Sequence, residues 1–306
     1  MRKSIIRATL FALALTMLLA SCATIRPYGA EHYFQALALD GQLVITINAD
    51  LLDLNSYLDS YLDADSESAK TVLDRISRLS IALKTPTDTG SLPQSPSGFS
   101  QYDFYGAIEG NFPKSLVNTA LSLTGIFDKS TDPSSNLKFY VDNNSGLQLA
   151  VPNSDIILFS STSVSENIST TYTSQRPKYI SDADAQRLAD SQIGIYIASP
   201  VAMIDLGFDI SEQVISNIDS ILILLNDNTL YIDFRLKSEE LADSFSILIK
   251  GAYISSLRRA GIKPDFDQLR QMFTQQLNTV TVNGMPLTDS QKASITELLS
   301  SLLQVL

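Results

Sequence analysis

Two six-residue stretches constrain this chain more than anything else in it. Gln42-Leu43-Val44-Ile45-Thr46-Ile47 and Gln192-Ile193-Gly194-Ile195-Tyr196-Ile197 lie 150 positions apart, and both alternate like half-buried strands. Their surroundings are alike too. Ile76–Leu83 parallels Ile218–Leu225, and each is followed by a further strand, Tyr102–Glu109 in one case and Leu230–Leu236 in the other. Between the first two strands of each copy the apolar spacing turns helical. Leu51, Leu54, Leu58, Tyr61 and Leu62 share a face in the first copy. In the second, Ile204, Leu206, Val214, Ile215 and Ile218 do so less regularly.

The connections differ. Asn226-Asp227-Asn228 is a hairpin signal built from residues that tolerate positive φ, whereas Thr85–Ser100, rich in Pro, Gly, Ser and Thr, reads as a long exposed loop. A helix follows in each copy. Pro113 opens the first, which continues through Leu116, Val117, Ala120, Leu121 and Leu123. Ser238 caps the second, which runs to Ala260 and stops at Gly261 and Pro264. Strands Leu137–Val141, Leu147–Val151 and Ile156–Phe159 then stand against Thr279–Val282, with Asn143-Asn144-Ser145-Gly146 as another turn.

This order predicts an α+β fold of two tandem β-α-β-β-α-β repeats of the split βαβ type, antiparallel sheets with helices packed on one face. The expected boundaries are a signal peptide at 1–21, a lipidated N-terminus and tether at 22–40, a first repeat at 41–162, a linker at 163–180 and a second repeat at 181–306.

The N-terminus is read separately. Arg2, Lys3 and Arg7 precede an apolar run too short to span a bilayer comfortably, and small residues close it. That is the layout of an export signal. Its end, Leu19-Ala20-Ser21-Cys22, resembles the lipobox of bacterial lipoproteins at all four positions. The resemblance implies a diacylglyceryl group on the Cys22 thiol, cleavage between Ser21 and Cys22 by the lipoprotein signal peptidase, and acylation of the freed amine by a fatty acid such as palmitate. Two or more acyl chains anchor a protein stably. Ala23 in place of an aspartate points to the outer rather than the inner membrane of the cell envelope.

Charge narrows the partners. The net charge is −11, and −14 once the three basic residues of the signal are removed. A field of that sign repels phosphate backbones, so no nucleic acid is expected as a partner. The membrane is reached through the lipid, leaving an envelope protein or a glycan as the partner of the folded part.

The catalytic inventory is thin. Cys22 is the single cysteine and His32 the single histidine. A histidine-based nucleophilic triad and the usual His/Cys metal sites therefore have too few residues. Carboxylates are available: Glu109 ends a strand, and Asp233 and Arg235 share a strand face that reads as solvated. Asp63, Asp65 and Glu67 have calcium-like spacing, but Ser68 and Asp74 stand where an EF-hand needs Gly and Glu. Gly106 and Gly110 mark a bulge or turn and not a nucleotide loop. Tyr102, Phe104 and Tyr105, with Tyr172 and Tyr179, are aromatic packing or contact residues. The last helix, Ser290–Leu306, carries Ile295, Leu298, Leu299, Leu302, Leu303 and Val305 largely on one side, which fits core packing. The sequence thus predicts a non-enzymatic envelope lipoprotein acting by binding or assembly, without catalytic residues, cofactor or metal. The alternatives are a carboxylate-dependent envelope glycan hydrolase and a carrier of lipid or another hydrophobic ligand.

Overall fold

The computed structural model describes residues 34–37, 43–51, 74–84, 103–123, 125–132, 136, 138–164, 180–198, 212–288 and 292. Twelve strands lie in them: β1 Leu43–Asn48, β2 Ile76–Lys84, β3 Asp103–Gly110, β4 Phe127–Thr131, β5 Lys138–Asp142, β6 Gln148–Ala150, β7 Ile156–Ser160, β8 Ile193–Ile197, β9 Ile218–Asn226, β10 Thr229–Leu236, β11 Phe273–Gln276 and β12 Thr279–Pro286. The helical segments are α1 Phe34–Leu37, α2 Lys114–Leu123, α3 Asp182–Ala189, α4 Glu212–Ile215, α5 Glu239–Arg259 and α6 Phe266–Met272.

The architecture is α+β, built on one large antiparallel sheet. All twelve strands join in the order β11-β12-β10-β9-β8-β1-β2-β3-β7-β6-β5-β4. The two halves of the chain thus meet edge to edge, β1 pairing with β8 at the centre. A single row of residues crosses eight strands there: Phe159, Gly106, Ile81, Ile45, Ile195, Ile223, Ile232 and Val282 stand opposite one another in turn. The β2–β3 ladder shifts register between Ile76 and Arg78, and the β9–β10 ladder shifts between Arg235 and Leu236.

The central strands are buried on both faces, not half-buried. Every described side chain of β8 is buried, as are Leu43 through Ile47 of β1. A strand apolar on both sides needs cover on both sides. The helices accordingly do not keep to one face. On one face Phe34 of α1 and Ala185, Leu188 and Ala189 of α3 pack with Val44, Ala82, Tyr196, Leu222 and Leu224. On the other, Phe245 and Ile249 of α5 and Leu269 of α6 pack with Ile45, Ile195, Ile223 and Phe234. Phe34 and Gln35, within the span expected as tether, are buried.

Local sequence explains the helices. Ser238 caps α5, its hydroxyl accepting from the Leu241 amide at 3.3 Å, and Gly261 at φ 73° follows its end. Ser181 caps α3, accepting from the Asp184 amide at 3.1 Å, while Asp182 and Asp184 sit in the first turn and Arg187 in the last, each charge favoured by the helix dipole. Gly194 lets α3 approach: a Cβ there would lie 2.6 Å from both Leu188 Cδ2 and Thr46 Oγ1. The Asn226–Thr229 turn forms as expected, with Asp227 at φ 52° and Asn228 at φ 112°. Leu51 lies in a turn; the rest of the first expected helical face, from Leu54 to Leu62, the loop at 85–100, most of the linker and the last helix apart from Lys292 lie outside the described residues.

A lysine-lined groove as the candidate binding site

The sequence candidates separate in space. Cys22, His32, Asp63, Asp65, Glu67, Tyr102, Tyr172 and Tyr179 lie outside the described residues. Glu109 and Asp233 do not form a pair: β3 and β10 are five strand spacings apart, about 24 Å. Glycoside hydrolysis by two carboxyls requires roughly 5–10 Å between them. Each acid is instead held by an arginine. Arg78 Nη1 donates to Glu109 Oε2 at 2.9 Å, and Arg187 Nη1 donates to Asp233 Oδ2 at 2.8 Å.

Nor is the face of Asp233 and Arg235 solvated. Helix α3 covers it, because its own charges match those of the strand. Arg235 Nη2 donates to Asp184 Oδ1 at 2.6 Å, the Ser181 hydroxyl to Asp184 Oδ2 at 2.7 Å, and the Thr281 hydroxyl to Asp233 Oδ1 at 2.6 Å. The Arg187 guanidinium also lies over the Tyr231 ring, 4.5 Å from its centroid. Burial by itself would raise the Asp184 carboxyl. The hydrogen bonds from Arg235 and Ser181 and the charges of Arg235 and Arg187 outweigh it and hold the group below the usual aspartate range. This cluster is a clamp between helix and sheet, with its acids neutralised in place.

The aromatic strand divides between the faces. Phe104 enters the core with Phe159, and the Tyr105 hydroxyl accepts from the Thr162 hydroxyl at 3.3 Å. Gly106 makes room for the Phe159 ring: a Cβ there would fall 1.8 Å from Phe159 Cζ. Gly110 lies at the register shift, opposite Ile76.

A separate recess lies between α2 and the β4–β5 hairpin. It is an open groove of about 810 Å³. Pro113 starts its helical wall, its carbonyl accepting from the Leu116 and Val117 amides at 2.8 and 3.1 Å. Tyr140 joins wall to floor. Its side chain is fully buried, its hydroxyl donates to the Asn118 carbonyl at 3.0 Å, and Ser122 Oγ lies 3.3 Å from that hydroxyl. Lys114 Nζ donates to the Pro152 carbonyl at 2.5 Å and closes one end.

The chemistry of the groove is one-sided. Its lining holds Lys114, Lys129 and Lys138 with the polar residues Ser115, Asn118 and Thr119, and no carboxylate. Lys129 stands opposite Tyr140, and Lys138 opposite Thr131 two residues away, so both lysines project on the face that Tyr140 shares with the helix. Both are exposed, and neither pairs with a carboxylate among the described residues. The lysines come from α2, β4 and β5, far enough apart in sequence that spacing gave no sign of them. Within the described residues no group of three or more His, Cys, Asp or Glu is placed to hold a metal ion.

No family profile matches the chain, and no curated protein does. Solved structures do. Crystal form I of TP0453 superposes with a TM-score of 0.51 at 9% identity, covering 90% of this chain and 98% of that one. Crystal forms IV and III give 0.49, each at 11% identity. Across nearly its whole length, then, this chain is similar in fold to TP0453.

Proposed function

We propose that this chain is an exported lipoprotein, anchored to the cell envelope through Cys22, whose folded body works by binding or assembly and not by catalysis. The observation that carries the second part is the groove. Its walls offer ammonium groups, hydroxyls and amides without a paired acid and base, which is equipment for holding a ligand. The only cysteine stands at the one position the lipobox requires, and Ala23 after it favours the outer membrane. Among the described residues the hydrophobic-carrier alternative draws less support: an apolar notch lined by Val214, Leu236, Phe245 and Leu248 holds about 90 Å³, under the ~300 Å³ of ordinary ligand sites.

Fractionation of cells expressing the wild type and Cys22→Ala tests the anchor. The wild type is expected with membranes and the variant in the soluble fraction; a variant that stays with membranes removes the anchor reading. Turnover of a glycan panel by purified protein, abolished by substituting an acidic pair, would remove the binding reading.

The architecture also supports an internal duplication. Outward from Ile45 and from Ile195 the row continues with an isoleucine on each side, Ile81 and Ile223, before it diverges, and the register shifts near Ile76 and Leu236 fall at corresponding places. On this reading residues 181–306 alone should dimerise through a free β8 edge; a strictly monomeric folded fragment would argue against duplication.

A further inference from the structure

We propose that the groove between α2 and the β4–β5 hairpin binds an anionic glycan, a phosphate or carboxylate group seating between Lys129 and Lys138. This rests on the binding reading above and assigns the ligand class.

Three observations carry it. First, the protein is strongly acidic, yet the groove lining carries three lysines and no acid. Lys129 and Lys138 have no carboxylate partner among the described residues. Second, these two lysines sit diagonally across one ladder on one face, which brings their Cβ atoms to about 7–8 Å, close enough for both ammonium groups to reach one oxyanion. Third, the helical wall is poised to accept. Asn118 Nδ2, Thr119 Oγ1 and Ser122 Oγ already donate to helix carbonyls at 2.8 Å. The hydroxyl protons of Thr119 and Ser122 and one Asn118 N–H are thereby engaged, while side-chain oxygen lone pairs remain to meet the hydroxyl donors of a sugar. The groove volume is that of a site for a short oligosaccharide and exceeds what a lone ion needs.

The probe is trigalacturonate, titrated calorimetrically into the purified protein, with maltotriose as the neutral control and phosphatidylglycerol vesicles as a separate arm. Trigalacturonate should bind, maltotriose at least tenfold more weakly, and raising salt from 50 to 200 mM should weaken binding several-fold. The Lys129→Ala/Lys138→Ala variant should lose at least tenfold in affinity, while Lys237→Ala/Lys250→Ala binds as wild type. Circular dichroism checks that both variants are folded. Equal binding of maltotriose, undiminished binding by the groove variant, or no binding of trigalacturonate overturns the proposal. So does binding to the vesicles alone, which would make the lysines a headgroup site. A protein that fractionates with membranes through Cys22 yet ignores trigalacturonate loses this inference and keeps the anchor.

Discussion

Arg187 meets Asp233 at 2.8 Å, and next to it Arg235 meets Asp184 at 2.6 Å. The two pairs cross the same interface in opposite senses: α3 gives the cation to one and the anion to the other. The helix is thereby fixed in rotation as well as position, since turning it would part both pairs together.

Acid should loosen this clamp. The Asp184 carboxyl is held below its ordinary value in the folded protein, so its contribution is complete above the unfolded pKa of about 4 and is lost as pH falls through the lower folded value. Asp184→Asn should cost about 2 kcal/mol at pH 7, with Arg235 keeping partial solvent access. Between pH 5 and pH 2.5 the variant's Tm should fall less steeply than that of the wild type. Parallel pH profiles would show that Asp184 adds nothing to acid sensitivity.

Gly106→Ala should destabilise by about 1–3 kcal/mol, because the new methyl meets the buried Phe159 ring on the neighbouring strand. Adding Phe159→Leu should recover part of that loss. Denaturant unfolding of the two single variants and the double variant measures the coupling, and purely additive losses would contradict the contact.

Leu277→Gly should stabilise. Leu277 is the first residue of the two-residue turn between β11 and β12, at φ 51°, with 67% of its surface exposed. A side chain in that region costs about 1–2 kcal/mol, and the freer unfolded chain of a glycine variant returns up to about 1 kcal/mol of this. A net gain of about 0.5–1 kcal/mol should appear as a raised Tm. A lower Tm would mean that the leucine packs in a way its exposure does not reveal.

Tyr140→Phe should cost about 1 kcal/mol through the lost hydrogen bond to the Asn118 carbonyl. Amide exchange along α2 should quicken while that of β9 and β10 stays unchanged. Uniform quickening would place Tyr140 in the global core instead of at the groove.

The parts of the fold legible in the sequence were those whose local signals agree. Ser238, the apolar stripe of α5 and Gly261 all mark the same helix, and Asn226-Asp227-Asn228 marks its turn. Strand β4, Phe-Asp-Lys-Ser-Thr, is exposed along nearly its whole length, so burial wrote no alternation into it; β11 is short and polar but for Phe273. Helix α3 is largely polar, and its buried residues include an aspartate, so apolar spacing missed it. The cap at Ser181 and the acids of the first turn were the available signal. Asp233 and Arg235 looked solvated for the same reason, since what covers them is charged. The lysine groove is assembled from three elements by tertiary packing, which one-dimensional spacing does not record. Helices on both faces could have been anticipated from β1 and β8, whose in-between positions Val44, Gly194 and Tyr196 carry none of the charge that a solvated face needs.

The central position of the β1–β8 pair also sets a timetable. Ile45 waits for Ile195, 150 residues later in the chain. The pair can close only after those 150 residues have been delivered. Until then β1 has β2 on one side and an apolar edge on the other, and the sheet cannot close across its middle. A chain stopped anywhere before β8 carries that open edge permanently, a template for pairing with other chains. Truncation products of this protein should therefore aggregate, whereas the full-length chain removes the hazard with its own second half.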